Sequence, residues 1–530
     1  MDTFYFDFST IGKFSYNDMA YAMGNHDLED FYQFTPHHET LNQVAEERMK
    51  FPVDRKLLVN VIKRQYQKFC QDDAVFERIS QLENPETFTI ITAHQPTLLT
   101  GPLYFIYKAL SAIKVAENYN ESQDRFRAQA IFVIGGEDHD FDEMNHLNLF
   151  GKKIVWEDHQ GGSVGRYQTD SLRPVLEEVY GILGQSSHAQ ILINKLKKAF
   201  DNPPSYGQAM QHFVHELLGQ LGILVVHMDE IEFKKKMIPF FIDDLVEHTS
   251  HRVVQQIQES FSAAGFDQQA FVRPINLFYL TRHDRDRIEK GEDGHYYTVN
   301  GGEKWTQEEM INEVNEHPDR FSPNVILRPV YQEIIFPNLA YVGGGGEISY
   351  WLERKNQFRH LNVFYPMLIR RDSFQLISAK DFDTIHEWGF TLEDLMLPEN
   401  QLVEKYLTLH GREEIDLSRE IDELTPLEEA IQAKVDTIDP SLVARIGAQF
   451  AKFKNDLQAV EKRLKKSEKQ SHDSNINKIK KIQSKLFPGN GLQERSDNFM
   501  SWYILHGEGF FRVLLDSADP FDARMKTILI

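Results

Sequence analysis

The sequence predicts an α/β protein, a doubly wound parallel sheet followed by a long helical domain and an apolar tail. Three observations carry that prediction. Short, apolar, β-branched runs alternate with helix-length segments through the first two thirds of the chain. Glycine-rich or acidic loops close several of those runs, and beyond residue 385 the apolar residues settle into heptad spacing. A chain of 530 residues is too long for one core. The expected division is 1–385 for the α/β core, 386–487 for the helices, and 488–530 for a tail that packs back on the core.

The pattern is clearest between residues 86 and 145. Residues 87–93 (TFTIITA) read as a strand buried on both faces. After a loop containing Pro96, Gly101 and Pro102, the residues Leu103, Ile106, Tyr107, Leu110, Ile113 and Ala116 recur at helical spacing. Residues 130–136 (AIFVIGG) form the next strand, closed by the acidic loop 137–143. Strand, helix, strand in this order predicts a right-handed parallel crossover. Residues 222–228 repeat the strand pattern before a helix at 231–246. Residues 339–342 lead into four glycines, a helix from 347 to about 358, and an apolar strand 363–369. Ligands of such sheets sit at strand C-terminal ends, where loops 94–102 and 135–143 and the glycine run all fall. Glu292-Asp293-Gly294 between strand-like runs signals a hairpin, so an inserted subdomain is expected around 265–320.

In the helical domain, Leu442, Ile446, Phe450, Phe453, Leu457, Val460 and Leu464 make an apolar seam. Ile476, Ile479, Ile482 and Leu486 make a second stripe, and an earlier helical piece ends at Pro440. An intramolecular three-helix bundle and a dimerising coiled coil are equal readings of this pattern.

Composition excludes several classes. A net charge of −22 argues against general nucleic-acid binding. The basic stretch 449–486 departs from that average; it could meet an acidic partner, and solvation of a long helix is the favoured reading. No run approaches the roughly 20 apolar residues of a membrane span. The first 21 residues lack an apolar signal core, so a cytoplasmic protein is expected. A lone cysteine, Cys70, rules out an intramolecular disulfide and a cysteine-rich zinc site; its helical context predicts a packing role.

The residues most able to carry chemistry are Glu137, Asp138, His139 and Asp140, four ionisable groups in one turn after a buried strand. Crowded carboxylates beside an imidazole suit acid–base work, and the same group could bind a divalent cation. Helix capping would explain one acid of the run, not the others. The loop with Gln95, Thr100, Gly101 and Pro102 precedes a helix bearing Tyr104 and Lys108, so its amides could hold a phosphate or carboxylate; a structural turn is an equal reading. Gly343, Gly344, Gly345 and Gly346 suit close backbone approach to a ligand, with Glu347, Tyr350 and Trp351 following. Arg328, Arg370 and Arg371 are candidate anion clamps. The P-loop, GxGxxG, GxSxG and HExxH motifs are all missing, which argues against P-loop, dinucleotide-redox, serine-hydrolase and zincin chemistry.

The run Leu98-Leu99-Thr100-Gly101-Pro102-Leu103-Tyr104, the loop Gly136-Glu137-Asp138-His139-Asp140, the block Phe321-Ser322…Asn324-Val325…Arg328-Pro329…Gln332-Glu333, and Gly346-Glu347-Ile348…Tyr350-Trp351 resemble the BshC family of bacillithiol biosynthesis. The resemblance spans the chain. The family's glutamine pair ahead of the LLTGP run is His94-Gln95 here. The resemblance implies a Rossmann-like core related to class I aminoacyl-tRNA synthetases, inserted connecting segments, and a coiled coil that forms a homodimer. It implies ligation of L-cysteine, through an amide bond, to the amino group of glucosaminyl malate. It leaves open whether ATP or another adenine nucleotide activates the carboxylate and whether a divalent metal takes part. On this reading Glu137–Asp140 are catalytic, and His139 moves a proton or orients a phosphate. Arg328 and Lys108 would meet the malate carboxylates. An ATP-dependent ligase or nucleotidyl transferase acting on another small acid, and a non-catalytic coiled-coil scaffold, are the rival readings.

Overall fold

A computed structural model describes residues 2–411 and 416–530. Residues 2–375 and 491–528 form one compact unit, and residues 376–490 with 529–530 form the other.

The first unit is organised by a five-stranded parallel sheet. Its strands are β1 (Thr87–His94), β2 (Arg127–Ile134), β3 (Leu224–His227), β4 (Asn338–Gly343) and β5 (Met367–Arg370). Their spatial order is β5-β4-β1-β2-β3. This is a doubly wound arrangement, and the order reverses between β1 and β4. The strands are short and β-branched because helices cover both faces. Ile90, Ile91, Ile131 and Phe132 have no exposure at all. Helix α1 (Tyr104–Ser122) makes the crossover from β1 to β2 and packs on both. Helix α2 (Ile231–Val246) follows β3.

Strand ends shift by a few residues from the expectation, β2 beginning at Arg127 and ending at Ile134, and two differences have a clear cause. The strand expected over 363–369 begins at Met367, because Pro366 has no N–H to give the ladder. The helix expected over 347–358 is two helices, Gly345–Leu352 and Lys355–His360. The break lies at Glu353 and Arg354, where buried Glu353 accepts bonds from Gln258 and from the Gln269 amide.

Between β3 and β4 the chain leaves the core to build a five-stranded antiparallel sheet. Its order is Lys304–Trp305, Tyr296–Thr298, Arg285–Lys290, Leu277–Leu280, Phe321–Pro323. Gly294, at φ +78°, takes the turn signalled by Glu292-Asp293-Gly294. Helix α3 (Arg328–Ile335) returns the chain to β4, and α4 (Gly345–Leu352) follows the glycine run.

The second unit contains α5 (Leu424–Asp436), α6 (Val443–Ser471) and α7 (Asp473–Leu486). Helix α5 lies along α6, where Lys454 bonds Glu428 at 2.8 Å. The stripe Ile476, Ile479, Ile482 and Leu486 on α7 is buried. The seam on α6 is not: Phe453 is 50% and Leu464 43% exposed.

Candidate active site

A cleft of about 610 Å³ opens at the C-terminal ends of β1, β2 and β4, at the switch in strand order. Its wall combines His94, Gln95, Tyr104, Gly135 and Asp138 with Arg285 and Phe278 of the antiparallel sheet. Arg328, Gly344, Gly345, Gly346, Glu347, Tyr350 and Trp351 complete the far side, with Arg371 and Arg495 at the edge.

Asp138 is the hub. Gln95 Nε2 donates to its Oδ2 at 2.5 Å, and Arg285 Nη1 reaches its Oδ1 at 3.4 Å. Burial opposes ionisation of Asp138, but His139, Arg285, Arg328 and Gln95 outweigh it and hold the carboxyl well below the usual carboxylate range. Arg285 Nη1 also lies 3.1 Å from His139 Nδ1. The same Nδ1 lies 3.5 Å from Asp138 Oδ1, so the half-exposed His139 ring sits between a guanidinium, which only donates, and a carboxylate, which only accepts. His139 itself does not line the cleft.

The rest of the acidic run divides by partner. Glu137 is fully buried, with Lys234 at 2.5 Å, and does not line the cleft. Arg328 lies 4.0 Å away across the cleft floor. Asp140 caps the short helix Phe141–Met144 by accepting from the Glu143 amide, so for this acid the capping reading holds. The four side chains therefore do not converge on one ion. Among the described residues, no three His, Cys, Asp or Glu side chains gather to hold a metal.

The turn before α1 is also different from the anion cradle it could have been. Its amides are spent internally: Thr100 N bonds Thr97 O, Gly101 N bonds Leu98 O, and Leu103 N bonds Asp497 O. Thr100 is fully buried, and Thr100, Gly101 and Pro102 do not line the cleft. Leu99, Thr100 and Gly101 all have positive φ, a strained path for a β-branched threonine. Asn498 holds it, its Nδ2 donating to Leu99 O at 3.2 Å and Gly101 O at 2.6 Å. The turn thus presents Tyr104 and Gln95 to the cleft instead of presenting its own amides.

Lys108 needs a correction as well. Its ammonium is wholly buried between Ala93 O and Glu347, 2.7 Å away, and cannot reach a substrate carboxylate. Glu347 in turn accepts from Tyr341 at 2.7 Å and from the Gly344 amide at 2.9 Å, closing the start of α4. Gly345 and Gly135 serve space, not positive φ. A Cβ on Gly345 would strike the Asp18 carboxylate at about 2.0 Å, and one on Gly135 would meet Arg328 Nη1 at 3.1 Å. Gly343 ends β4 outside the cleft, whereas Gly344, Gly345 and Gly346 line it.

Of the two paired arginines, Arg370 is locked on Asp18 at 3.1–3.2 Å and buried. Arg371 reaches the cleft, held by Glu494 at 2.7 and 2.9 Å. Sequence reasoning missed Arg285, Phe278 and Arg495. Arg285 opens a strand of the inserted sheet, and Arg495 lies far along the tail. No local motif marks either one.

Fold and cleft together define a Rossmann-like enzyme with a C-terminal helical domain. Residues 9–372 match the family described as "Bacillithiol biosynthesis BshC, N-terminal Rossmann-like domain", and residues 374–530 match its "C-terminal coiled-coil domain". The chain is 34% identical to a protein of Christiangramia forsetii over 96% of both chains, and 33% identical to one of Flavobacterium johnsoniae over the full length of both. A Bacillus cereus relative is 24% identical over 96% of this chain and 97% of its own. Each of these carries the name "Putative cysteine ligase BshC". The chain belongs to the BshC family of bacillithiol biosynthesis.

Proposed function

We propose that this enzyme joins L-cysteine, through an amide bond, to the amino group of glucosaminyl malate. The observation that carries the reading is the cleft itself, where four arginines meet two carboxylates beside His94 at the sheet's switch point. A sugar bearing a dicarboxylate needs cations at one end and a polar, anhydrous reaction centre at the other. Arg328 is the principal contact for malate, with Arg371 in place of the buried Lys108. Asp138 and Arg285 hold the His139 ring at the cleft's margin, where it would steady a developing oxyanion.

An amine does not displace hydroxide from a free acid at neutral pH, so the cysteine carboxylate must be activated. Activation by ATP or another adenine nucleotide is part of this proposal. Gly344 to Gly346, which line the cleft, and the arginines are the residues that would hold its phosphates. A cytoplasmic location belongs to the same reading, because a reducing compartment keeps the product thiol free. So does a homodimer through the exposed seam of α6.

Calorimetric titration tests the cleft assignment. Glucosaminyl malate should bind, glucosamine alone should bind far more weakly, and Arg328→Ala should weaken the first by about tenfold or more. Equal binding of the two sugars would refute malate recognition here.

A further inference from the structure

We propose that Lys234, wholly buried beneath the cleft, is a positioning residue that holds Glu137 away from Arg328 and so leaves Arg328 free for the malate carboxylates. The proposal rests on the assignment of Arg328 to malate made above.

Five side chains of alternating charge run inward from the cleft. Arg328, which opens α3, lines the cleft and is 32% exposed. Its Nη1 lies 4.0 Å from Glu137 Oε2, beyond hydrogen-bond range. Glu137 Oε1 instead meets Lys234 Nζ at 2.5 Å, and both of these side chains are buried. Lys234 Nζ also lies 3.1 Å from Asp229 Oδ1, and Asp229 accepts bonds of 2.6 and 2.8 Å from Arg166. The two inner cations thus satisfy the two carboxylates, and the charge left over is that of Arg328. Asp138, the other acid nearby, is met by Arg285.

The competitor is close at hand. Glu137 Oε2 is buried and accepts no hydrogen bond from any described residue. Without Lys234 this carboxylate would have one strong donor within reach, the Arg328 guanidinium. Two features seat that guanidinium short of Glu137. Pro323 O accepts from its Nη2 at 3.4 Å, and a Cβ on Gly135 would meet its Nη1 at 3.1 Å, so the glycine leaves it room.

Lys234 secures the same arrangement from the far side. It lies in the first turn of α2, and its Nζ donates to Asp319 O at 3.1 Å. Asp319 belongs to the turn Pro318–Arg320, which leads into the strand Phe321–Pro323. One lysine therefore fixes both the acid that competes for Arg328 and the strand that carries its anchor. It does so without touching substrate.

The test is calorimetric titration of full-length variants with glucosaminyl malate. Lys234→Met should weaken binding on the order of tenfold, close to the loss in Arg328→Ala, because Glu137 then takes the guanidinium. The double variant Lys234→Met/Glu137→Gln should recover affinity to within about threefold of wild type. Added to Arg328→Ala, Lys234→Met should cost nothing further, since the residue it acts through is gone. Glu137→Gln alone, in which the lysine keeps Asp229, should bind no less tightly than wild type; it decides the matter even if the Lys234→Met chain does not fold. A Lys234→Met protein of wild-type affinity, a double variant that stays weak, a loss that adds in full to that of Arg328→Ala, or a weakened Glu137→Gln overturns the proposal. A wild type that binds glucosaminyl malate no better than glucosamine overturns the malate reading above and this proposal with it.

Discussion

At the scale of single residues, the cleft is a set of fixed protonation states. Asp138 is ionised because His139, two arginines and an amide surround it. If His139 acts as a donor, an amide side chain can replace part of it. We therefore expect His139→Gln to keep measurably more kcat than His139→Ala, on the order of tenfold more. Equal loss in both variants would instead mark His139 as a proton carrier. The sequence made Asp138, Gln95 and Glu347 visible as chemistry-bearing residues in unusual runs. It could not say that Glu137 turns inward to Lys234 or that Asp140 caps a helix. Those outcomes depend on partners about a hundred residues away or on the path of the next turn.

Among elements, the two stripes of the helical unit behave differently. The α7 stripe is covered within its own unit, where Gln483 also bonds the carbonyl oxygens of Leu395 and Leu397. The α6 seam leaves Phe453, Val460 and Leu464 exposed on a helix of 29 residues. A long apolar seam facing water is the pattern of a coiled-coil surface that takes a second copy. On the homodimer proposed above, the wild type should run as a dimer in light scattering and the double variant Phe453→Glu/Leu464→Glu as a monomer; equal masses would contradict it. Heptad spacing was legible without the structure. Which of two similar stripes would be left open was not, because that depends on what the preceding helix, Glu399–His410, already covers. The strained Leu99–Gly101 turn was legible only as a loop, since its path is imposed by Asn498 from the tail.

For the molecule as a whole, two carboxyls record the cost of a large core. Burial pushes Glu333 and Asp244 up to about 7, against hydrogen bonds from Gln332 and Asn338 to the first and from Asn276 to the second. Below the ordinary carboxylate range, folded and unfolded chains both hold these protons. Between that range and about pH 7 the folded chain alone holds them, so their stabilisation fades as pH rises. The thermal midpoint of wild type relative to Glu333→Gln/Asp244→Asn should fall from about pH 5 to about pH 8; a flat or rising difference would contradict the assignment. The alternation of strands and helices, the glycine run and the hairpin insert were all readable from local patterns. The strand order and the arginines gathered from 285, 328, 371 and 495 were not, because only the tertiary fold brings them together.

The central claim, amide ligation in the switch-point cleft, is most directly tested by mass spectrometry of a single incubation. Purified enzyme is mixed with L-cysteine, ATP and glucosaminyl malate carrying ¹⁵N in its amino group. The account predicts a new thiol in which fragmentation places that ¹⁵N in the cysteinyl amide, with AMP or ADP formed in step and no product from Asp138→Asn. A wild-type reaction that returns both substrates unchanged, or that attaches cysteine through an ester with the amine left free, would contradict it.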